Sequence, residues 1–139
     1  MKFLVMIKAN KDSEAGKMPS EQLLSEMVAF NEELVNKGIM LGAEGLHPSS
    51  KGAKVRFSKD TFTVTDGPFT ETKEIVAGYW IWKLNSLKEA VEWVKRIPNP
   101  DHTDFEVEIR EIGDSEELGE TLSPELREKG RKLREQTKY

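Results

Sequence analysis

The segment Ile75–Leu84 limits the fold of this chain more than any other, because it is apolar on both faces of a strand. Side chains along a strand alternate between the two faces of its sheet. Both sets are apolar, aromatic or glycine: Val76, Gly78, Trp80, Trp82 and Leu84 on one face, and Ile75, Ala77, Tyr79 and Ile81 on the other. A strand of this kind is covered from both sides, so Ile75–Leu84 is predicted to be a central strand.

Two further segments extend this sheet. Phe3–Ile7 is also apolar at every position, which predicts a second central strand. Near residue 105 the pattern changes to alternation of apolar with charged residues: Phe105, Val107 and Ile109 against Glu106, Glu108 and Arg110. One apolar and one polar face are typical of a strand at the edge of a sheet, which is where we expect the last strand.

Two amphipathic helices separate the strands. The first begins after Ser20, a suitable N-cap, repeats apolar residues at spacings of three and four, and ends at Gly38. The second begins after Ser86, where Glu89 completes a predicted capping box, and it ends before Pro98. Both helices therefore carry their own start and stop signals.

The order of elements is β-α-β, hairpin, β-α-β, with Ile39–Leu46 as a strand and Ala53–Ser58 with Thr61–Thr65 as the hairpin. A polar loop is predicted over Asn10–Met18. This order predicts an α+β, ferredoxin-like sheet with an inserted hairpin and both helices on one face. The opposite face is too apolar to face water, which predicts a homodimer formed through the open sheet face.

The densest group of turn-forming residues is Thr65–Glu74, between the hairpin and the strand at Ile75. Asp, Gly and Pro each favour a turn for a different reason, so we predict a rigid corner that presents Asp66 and buries Phe69. The nine residues Asp66–Glu74 read Asp-Gly-Pro-Phe-Thr-Glu-Thr-Lys-Glu, and they resemble the signature of the DGPF proteins of the YCII-related family. That resemblance implies a dimeric α+β barrel.

The composition changes after residue 112, which predicts a division of the chain. Residues 1–112 are expected to form the YCII-related α+β barrel domain, and residues 113–139 a charged C-terminal extension. Within the extension, Ser123 as N-cap and Pro124 at the first helical position predict a helix. We interpret its basic run as a solvated helix face rather than a nucleic-acid-binding surface.

His47 and Asp66 are the candidate catalytic residues. His47 follows the second strand, and histidine is the side chain that exchanges protons near neutral pH. A loop histidine bonded to the backbone, and an Asx-turn cap at Asp66, explain the same residues without catalysis. The family resemblance implies the functional reading, in which His47 and Asp66 form an acid–base pair.

Four residues are candidates for substrate binding: Arg56, Phe69, Glu74 and Trp80. Arg56 would bind an anionic substrate or pair with a carboxylate, and the two aromatic residues would line a pocket for an aromatic molecule. Glu74 matches the family signature, with an ion pair to a neighbour as the alternative. One histidine with scattered carboxylates makes a poor metal site, and no nucleotide-binding motif is present, so neither metal nor cofactor is predicted.

Composition excludes several classes of function. The net charge of −4 argues against nucleic acid as a partner, because the chain has no excess of cations to neutralise phosphates. The absence of cysteine excludes disulfides and cysteine nucleophiles and is compatible with a reducing cytoplasm. The apolar run at Phe3–Ile7 is too short for a signal peptide or a membrane span, so we expect a cytoplasmic protein without a membrane partner.

Two functions remain open on the sequence. The first is a cofactor-independent small-molecule enzyme of the lyase or isomerase type that uses acid–base chemistry. The second is a non-catalytic ligand-binding or regulatory dimer, which the family resemblance links to extracytoplasmic-function sigma factors. A pocket that holds both His47 and Asp66 would favour the enzyme, and exposed, separate side chains would favour the second function.

Overall fold

A computed structural model describes residues 1–114, 117, 119 and 121–137 of the chain. In chain order its elements are β1 (Lys2–Lys8), α1 (Lys11–Glu14), α2 (Glu21–Asn36), β2 (Met40–Gly45), β3 (Ala53–Ser58), β4 (Thr61–Asp66), β5 (Val76–Lys83), α3 (Leu87–Val94), β6 (Val107–Glu111) and α4 (Pro124–Glu135). Single 3₁₀ turns lie at Ser49–Lys51 and Thr72–Glu74.

Four of the strands form one antiparallel sheet in the order β2-β5-β1-β6. This order, with α2 and α3 as the crossovers, is the ferredoxin-like arrangement, so the predicted α+β fold is confirmed. The two segments that are apolar on both faces occupy the two central positions, and β6 lies at an edge. The hairpin β3–β4 pairs only with itself and forms a separate two-stranded sheet.

The core lies between the sheet and the helices α2 and α3. Phe3, Trp82 and Leu34 are fully buried there. The Phe30 ring of α2 meets Trp80 and Trp82 of β5 edge-on, with ring centroids 6.1 and 6.4 Å apart. Edge-to-face contacts of this kind add to the stabilisation that burial of the rings already gives. Both tryptophans of β5 therefore face the helices.

On the opposite face of the sheet, Leu4 and Met6 are half-buried and Ile81 is buried. Across this face Leu4 pairs with Ile81, and Met6 pairs with Tyr79. On its other side Met6 pairs with Glu108 of β6. The Glu108 carboxylate forms an ion pair with the Lys8 ammonium at 3.2 Å. This open sheet face is thus an apolar centre bordered by an ion pair.

The helix caps follow the sequence signals. The Ser20 and Ser86 hydroxyls each accept an N–H from the first turn of their helix, at 3.1 Å in both cases. In a capping box the Glu89 carboxylate would also accept the backbone N–H of Ser86. It accepts the N–H of Asn85 instead, so the predicted capping box is wrong in this bond. The predicted loop over residues 10–18 is also wrong in part, because α1 forms there with a reciprocal cap between Asn10 and Ser13.

The C-terminal helix α4 begins at Pro124 after the Ser123 N-cap, as predicted. Every residue of this helix is exposed or half-buried. Arg131 bridges Glu128 and Glu135 on its surface, which is local pairing within one helix. No helix among the described residues combines the length and the apolar character that crossing a membrane requires.

Candidate functional site

The corner after β4 is packed tightly against the turn that follows His47. A Cβ atom at Gly67 would lie 1.6 Å from the carbonyl oxygen of Ser49, so a side chain cannot be accommodated at that position. The Gly67 N–H donates to the carbonyl oxygen of Gly52 at 2.9 Å, and the peptide bond between Gly67 and Pro68 is cis. Glycine is required here by close backbone contact, which explains one residue of the Asp66–Glu74 signature.

Ser49 is the central residue of this contact. Its side chain is buried, and its hydroxyl accepts the N–H of Phe69 at 2.9 Å while donating to the carboxylate of Glu14. Glu14 also accepts the Ser49 N–H at 2.9 Å. Three separate segments are therefore joined: the end of α1, the turn after His47 and the corner after Asp66. We refer to these bonds as the Ser49 junction.

The Ser49 junction brings together the two chain segments that carry the predicted catalytic residues. His47 lies two residues before Ser49, and Asp66 directly precedes Gly67. Both side chains are exposed, and neither forms a hydrogen bond or ion pair within the described residues. The structure therefore places them on neighbouring segments without a bond between them, and their catalytic role stays a prediction.

Two adjoining clefts open at one end of the space between α2 and the sheet. The larger has a volume of about 750 Å³ and the smaller about 330 Å³, and both are lined by Ile7, Met27 and Ala77. Clefts of these sizes are in the range that holds small organic molecules. Neither His47 nor Asp66 lines them.

The larger cleft has an apolar wall and a polar rim. The wall includes Leu23, Ile97 and Phe105 in addition to the three shared residues. The rim carries charges of both signs: Asp12, Lys17 and Asp101. Asp101 accepts the Ser20 hydroxyl at 2.9 Å, which ties the loop before β6 to the start of α2.

The smaller cleft contains Trp80, one of the predicted substrate-binding residues. The Trp80 side chain is nearly buried, and its indole N–H donates to Oδ1 of Asn31 at 2.8 Å. Gly45 also lines this cleft, and Leu46 next to it donates its N–H to the carbonyl oxygen of Ala77 at 2.8 Å. The chain thus runs directly from the wall of the smaller cleft to His47.

The other three predicted substrate-binding residues lie outside both clefts. Arg56 is exposed on β3, and Glu74 is exposed in the second 3₁₀ turn. The predicted burial of Phe69 is wrong, because its side chain is half-buried, with the Lys54 ammonium 4.3 Å from its ring centroid. The structure therefore brings only Trp80 of this set to a cleft.

Sequence reasoning missed Ser49, Glu14 and Asn31. A buried serine in a Pro-Ser-Ser turn carries no sequence signal that separates it from an exposed one. Asn31 had a weak signal, since a polar residue beside Phe30 on a helix that faces a tryptophan-bearing strand is placed to accept an indole N–H. Among the described residues, no group of three or more histidine and carboxylate side chains is arranged to hold a metal ion.

Comparison with known proteins places the chain in a family. It is 28% identical to the uncharacterized protein R00369 of Rhizobium meliloti (strain 1021) over 96 residues, which cover 69% of this chain and 77% of that protein. It also resembles the solved structure of 5-chloro-2-hydroxyhydroquinone dehydrochlorinase (TftG) from Burkholderia phenoliruptrix AC1100 in complex with 2,5-dihydroxybenzoquinone. That match has a TM-score of 0.49 and 16% identity, and it covers 84% of this chain and 98% of the other. The profile of the YCII-related domain matches residues 1–113, and the chain belongs to that family.

Proposed function

We propose that this protein is a cofactor-independent enzyme that binds a small organic molecule in the two adjoining clefts and moves a proton on it. The observation that carries the proposal is the pair of clefts whose lining residues lead directly to this site: Gly45 of the smaller cleft is followed by Leu46 and His47, and Ser13 of the larger cleft precedes Glu14 of the Ser49 junction. A rigid scaffold next to a cleft is what positions catalytic groups against a bound molecule. The reaction type is an elimination or an isomerisation.

His47 takes the proton in this proposal. It would abstract a proton from a carbon next to a carbonyl group of the substrate, and the electron pair would move toward the carbonyl oxygen. In an isomerisation the proton returns at another carbon; in an elimination a neighbouring leaving group departs with the electron pair. Asp66 would accept a hydrogen bond from the imidazolium that forms and so stabilise it.

The Ser49 junction supports this pairing of residues. It fixes the turn after His47 against the backbone next to Asp66, so that movement of one segment would carry the other with it. Phe69 also contributes its backbone N–H to the junction. The Asp66–Glu74 signature and the Ser49 turn would then serve one purpose, which is to hold the acid–base pair.

A proton-exchange assay tests the proposal without knowledge of the natural substrate. Neutral carbonyl compounds are incubated with the protein in D₂O, and deuterium uptake at carbon is followed by proton NMR. We expect exchange that depends on the protein and falls by about 10²–10⁴-fold in His47→Ala. The matched control is His102→Ala, because His102 is the other histidine and lies exposed in the loop before β6. Absence of exchange across the panel, or an equal loss in both variants, would refute the proposal.

One observation favours a second function, that of a non-catalytic ligand-binding or regulatory module. The His47 and Asp66 side chains are exposed and line neither cleft. If a compound binds in the clefts with the same affinity in wild type and His47→Ala, and no deuterium is taken up, the binding module is the better account.

We also propose that the protein forms a homodimer through the open sheet face. Leu4 and Met6 on that face are half-buried within one chain, and their strand is central in the sheet. Light scattering at low micromolar concentration should give twice the chain mass of 15.8 kDa. Met6→Lys should give a monomer, whereas Val64→Lys on the hairpin should leave the dimer intact. A monomeric wild type, or a dimer that survives Met6→Lys, would contradict this interface.

A further inference from the structure

We propose that Asn31 orients the ligand in the smaller cleft, by donating a hydrogen bond from its side-chain NH₂ to a carbonyl oxygen of a neutral, planar molecule. The inference deepens the proposed function and rests on it, because it requires that a ligand occupies this cleft. Catalysis by His47 is not part of it.

The orientation of the Asn31 amide follows from its partner. An indole N–H can only donate, so the group 2.8 Å from Nε1 of Trp80 has to be the amide oxygen of Asn31. The Trp80 ring is itself held by Phe30 and by Trp82, whose ring centroid is 5.5 Å away. The NH₂ group of Asn31 is therefore turned away from Trp80 by a bond that the core keeps in place.

The NH₂ group of Asn31 is a donor without a partner. Asn31 is half-buried and lines the smaller cleft, and no acceptor among the described residues bonds its nitrogen. Its neighbours on the helix side of this cleft are apolar: Ile7, Met27, Ala43 and Trp80. A donor in such surroundings gains most from a ligand oxygen placed in the cleft, because the protein supplies none.

The charge of the cleft restricts the ligand further. On the helix side its lining contains no charged side chain. Glu44 also lines the cleft, but it pairs with Tyr79 across β2 and β5, a register that belongs to the open face. An anionic ligand would therefore lose hydration without meeting a cation, and it would approach the carboxylate of Glu44. A volume of about 330 Å³ suits a single ring with short substituents.

The experiment compares three one-ring probes that differ at one substituent. They are 4′-hydroxyacetophenone, which has the carbonyl, 4-ethylphenol, which lacks it, and 4-hydroxybenzoate, which is an anion. Binding is followed by the indole N–H resonance of Trp80, assigned as the signal lost in Trp80→Phe. We expect saturable binding of 4′-hydroxyacetophenone, with a dissociation constant about tenfold lower than that of either other probe, which is ~1.4 kcal/mol.

A matched pair of variants assigns this preference to Asn31. Asn31→Asp keeps an oxygen acceptor for the Trp80 indole but removes both amide N–H donors, so the preference for the carbonyl probe should fall below about twofold while the Trp80 indole resonance still reports on binding. Asn36→Asp adds the same charge near the end of the same helix, outside both clefts, and should leave the preference unchanged.

The outcomes separate this inference from the proposed function. Equal binding of the acetyl and ethyl probes, no saturation by any probe up to about 10 mM, or an unchanged preference in Asn31→Asp would overturn the role of Asn31. A preserved carbonyl preference in a protein that shows no deuterium exchange would instead refute catalysis and leave the role of Asn31 standing.

Discussion

The four-stranded sheet and the β3–β4 hairpin each have an apolar face, yet only the sheet buries its apolar side chains in a core. Phe3, Val5 and Trp82 are fully buried in the sheet. In the hairpin, all residues of both strands are exposed, and the side chains of Phe57 and Phe62 are 79% and 67% exposed. Val55 pairs with Val64 and Phe57 with Phe62, so one hairpin face is apolar except at its base, where Ala53 pairs with Asp66.

The difference in burial comes from the helices that pack on the sheet and not from the strands themselves. The sheet has α2 and α3 packed on its apolar face, whereas no element of the described chain covers the apolar face of the hairpin. An isolated two-stranded hairpin is marginally stable in water, and cross-strand pairs contribute about 0.2–1 kcal/mol each. The rings of Phe57 and Phe62, 6.2 Å apart, form one such pair. Alternation thus predicts a strand without predicting what will cover it.

The largest expected effect comes from truncating a ring in each region. Trp82→Ala should lower the free energy of unfolding by about 3–5 kcal/mol, because the side chain is fully buried and a cavity would remain. Phe62→Ala in the hairpin should cost no more than about 1 kcal/mol, because the exposed ring contributes only its cross-strand pair with Phe57. Chemical denaturation of both variants measures the contrast.

A third variant refines that contrast. The Trp82 indole N–H is buried without an acceptor in the described part of the chain. Trp82→Phe removes this unsatisfied donor as well as part of the ring, so it should cost clearly less than Trp82→Ala. If Phe62→Ala costs as much as Trp82→Ala, the hairpin is covered in solution and the contrast between the two regions is wrong.

The next effect concerns the base of the hairpin, where it is fixed to the rest of the chain. Gly67→Ala should destabilise the protein by about 1–3 kcal/mol, because the added methyl group would overlap the carbonyl oxygen of Ser49. Gly52→Ala is the matched control: its Cβ would lie 3.5 Å from the same oxygen, which is an ordinary contact. Equal stability of the two variants would show that the corner can relax.

Much of the fold was predictable because its signals are local or periodic. The two doubly apolar segments identified the central strands, and Ser20, Ser86 and Ser123 identified the helix starts. These predictions hold because burial patterns and caps are decided by residues close in sequence. The helix α1 was missed because its capping residues lie in a stretch that is polar throughout.

The candidate site was far less predictable. The Ser49 junction joins Glu14, Ser49 and Phe69, which are distant in sequence, and no pattern in a single chain relates them. Phe69 illustrates the same limit: the turn around it was predicted, but its partner Lys54 lies on β3, 15 residues earlier in the chain. Such contacts depend on how segments pack, which periodicity does not encode.

A smaller effect is expected at Phe69, which lies between the two regions in burial. Phe69→Ala should cost about 1–2 kcal/mol, less than Trp82→Ala because the side chain is only half-buried. The Lys54 ammonium over its ring adds about 0.5–1 kcal/mol at an exposed site. Lys54→Met should therefore cost less than Phe69→Ala, and a double-mutant cycle by chemical denaturation measures the coupling. No coupling between the two substitutions would show that the ring and the ammonium do not interact.

The smallest effect is expected in α4, which resembles the hairpin in that most of its surface is in solvent. The hydrogen bond from Arg131 lowers the pKa of Glu128 from its ordinary value of 4.5, and the nearby charge of Arg131 acts in the same direction. A carboxylate whose pKa is lowered in the folded helix stabilises that helix above its ordinary pKa. This contribution is lost as the pH falls through the lowered value.

NMR titration of the Glu128 carboxyl carbon should therefore give a midpoint below 4.5, and Arg131→Gln should move that midpoint upward. Because both side chains are exposed on the surface of α4, the unfolding of the sheet should not respond to this substitution. An unchanged midpoint in Arg131→Gln would show that the pair seen on α4 does not persist in solution.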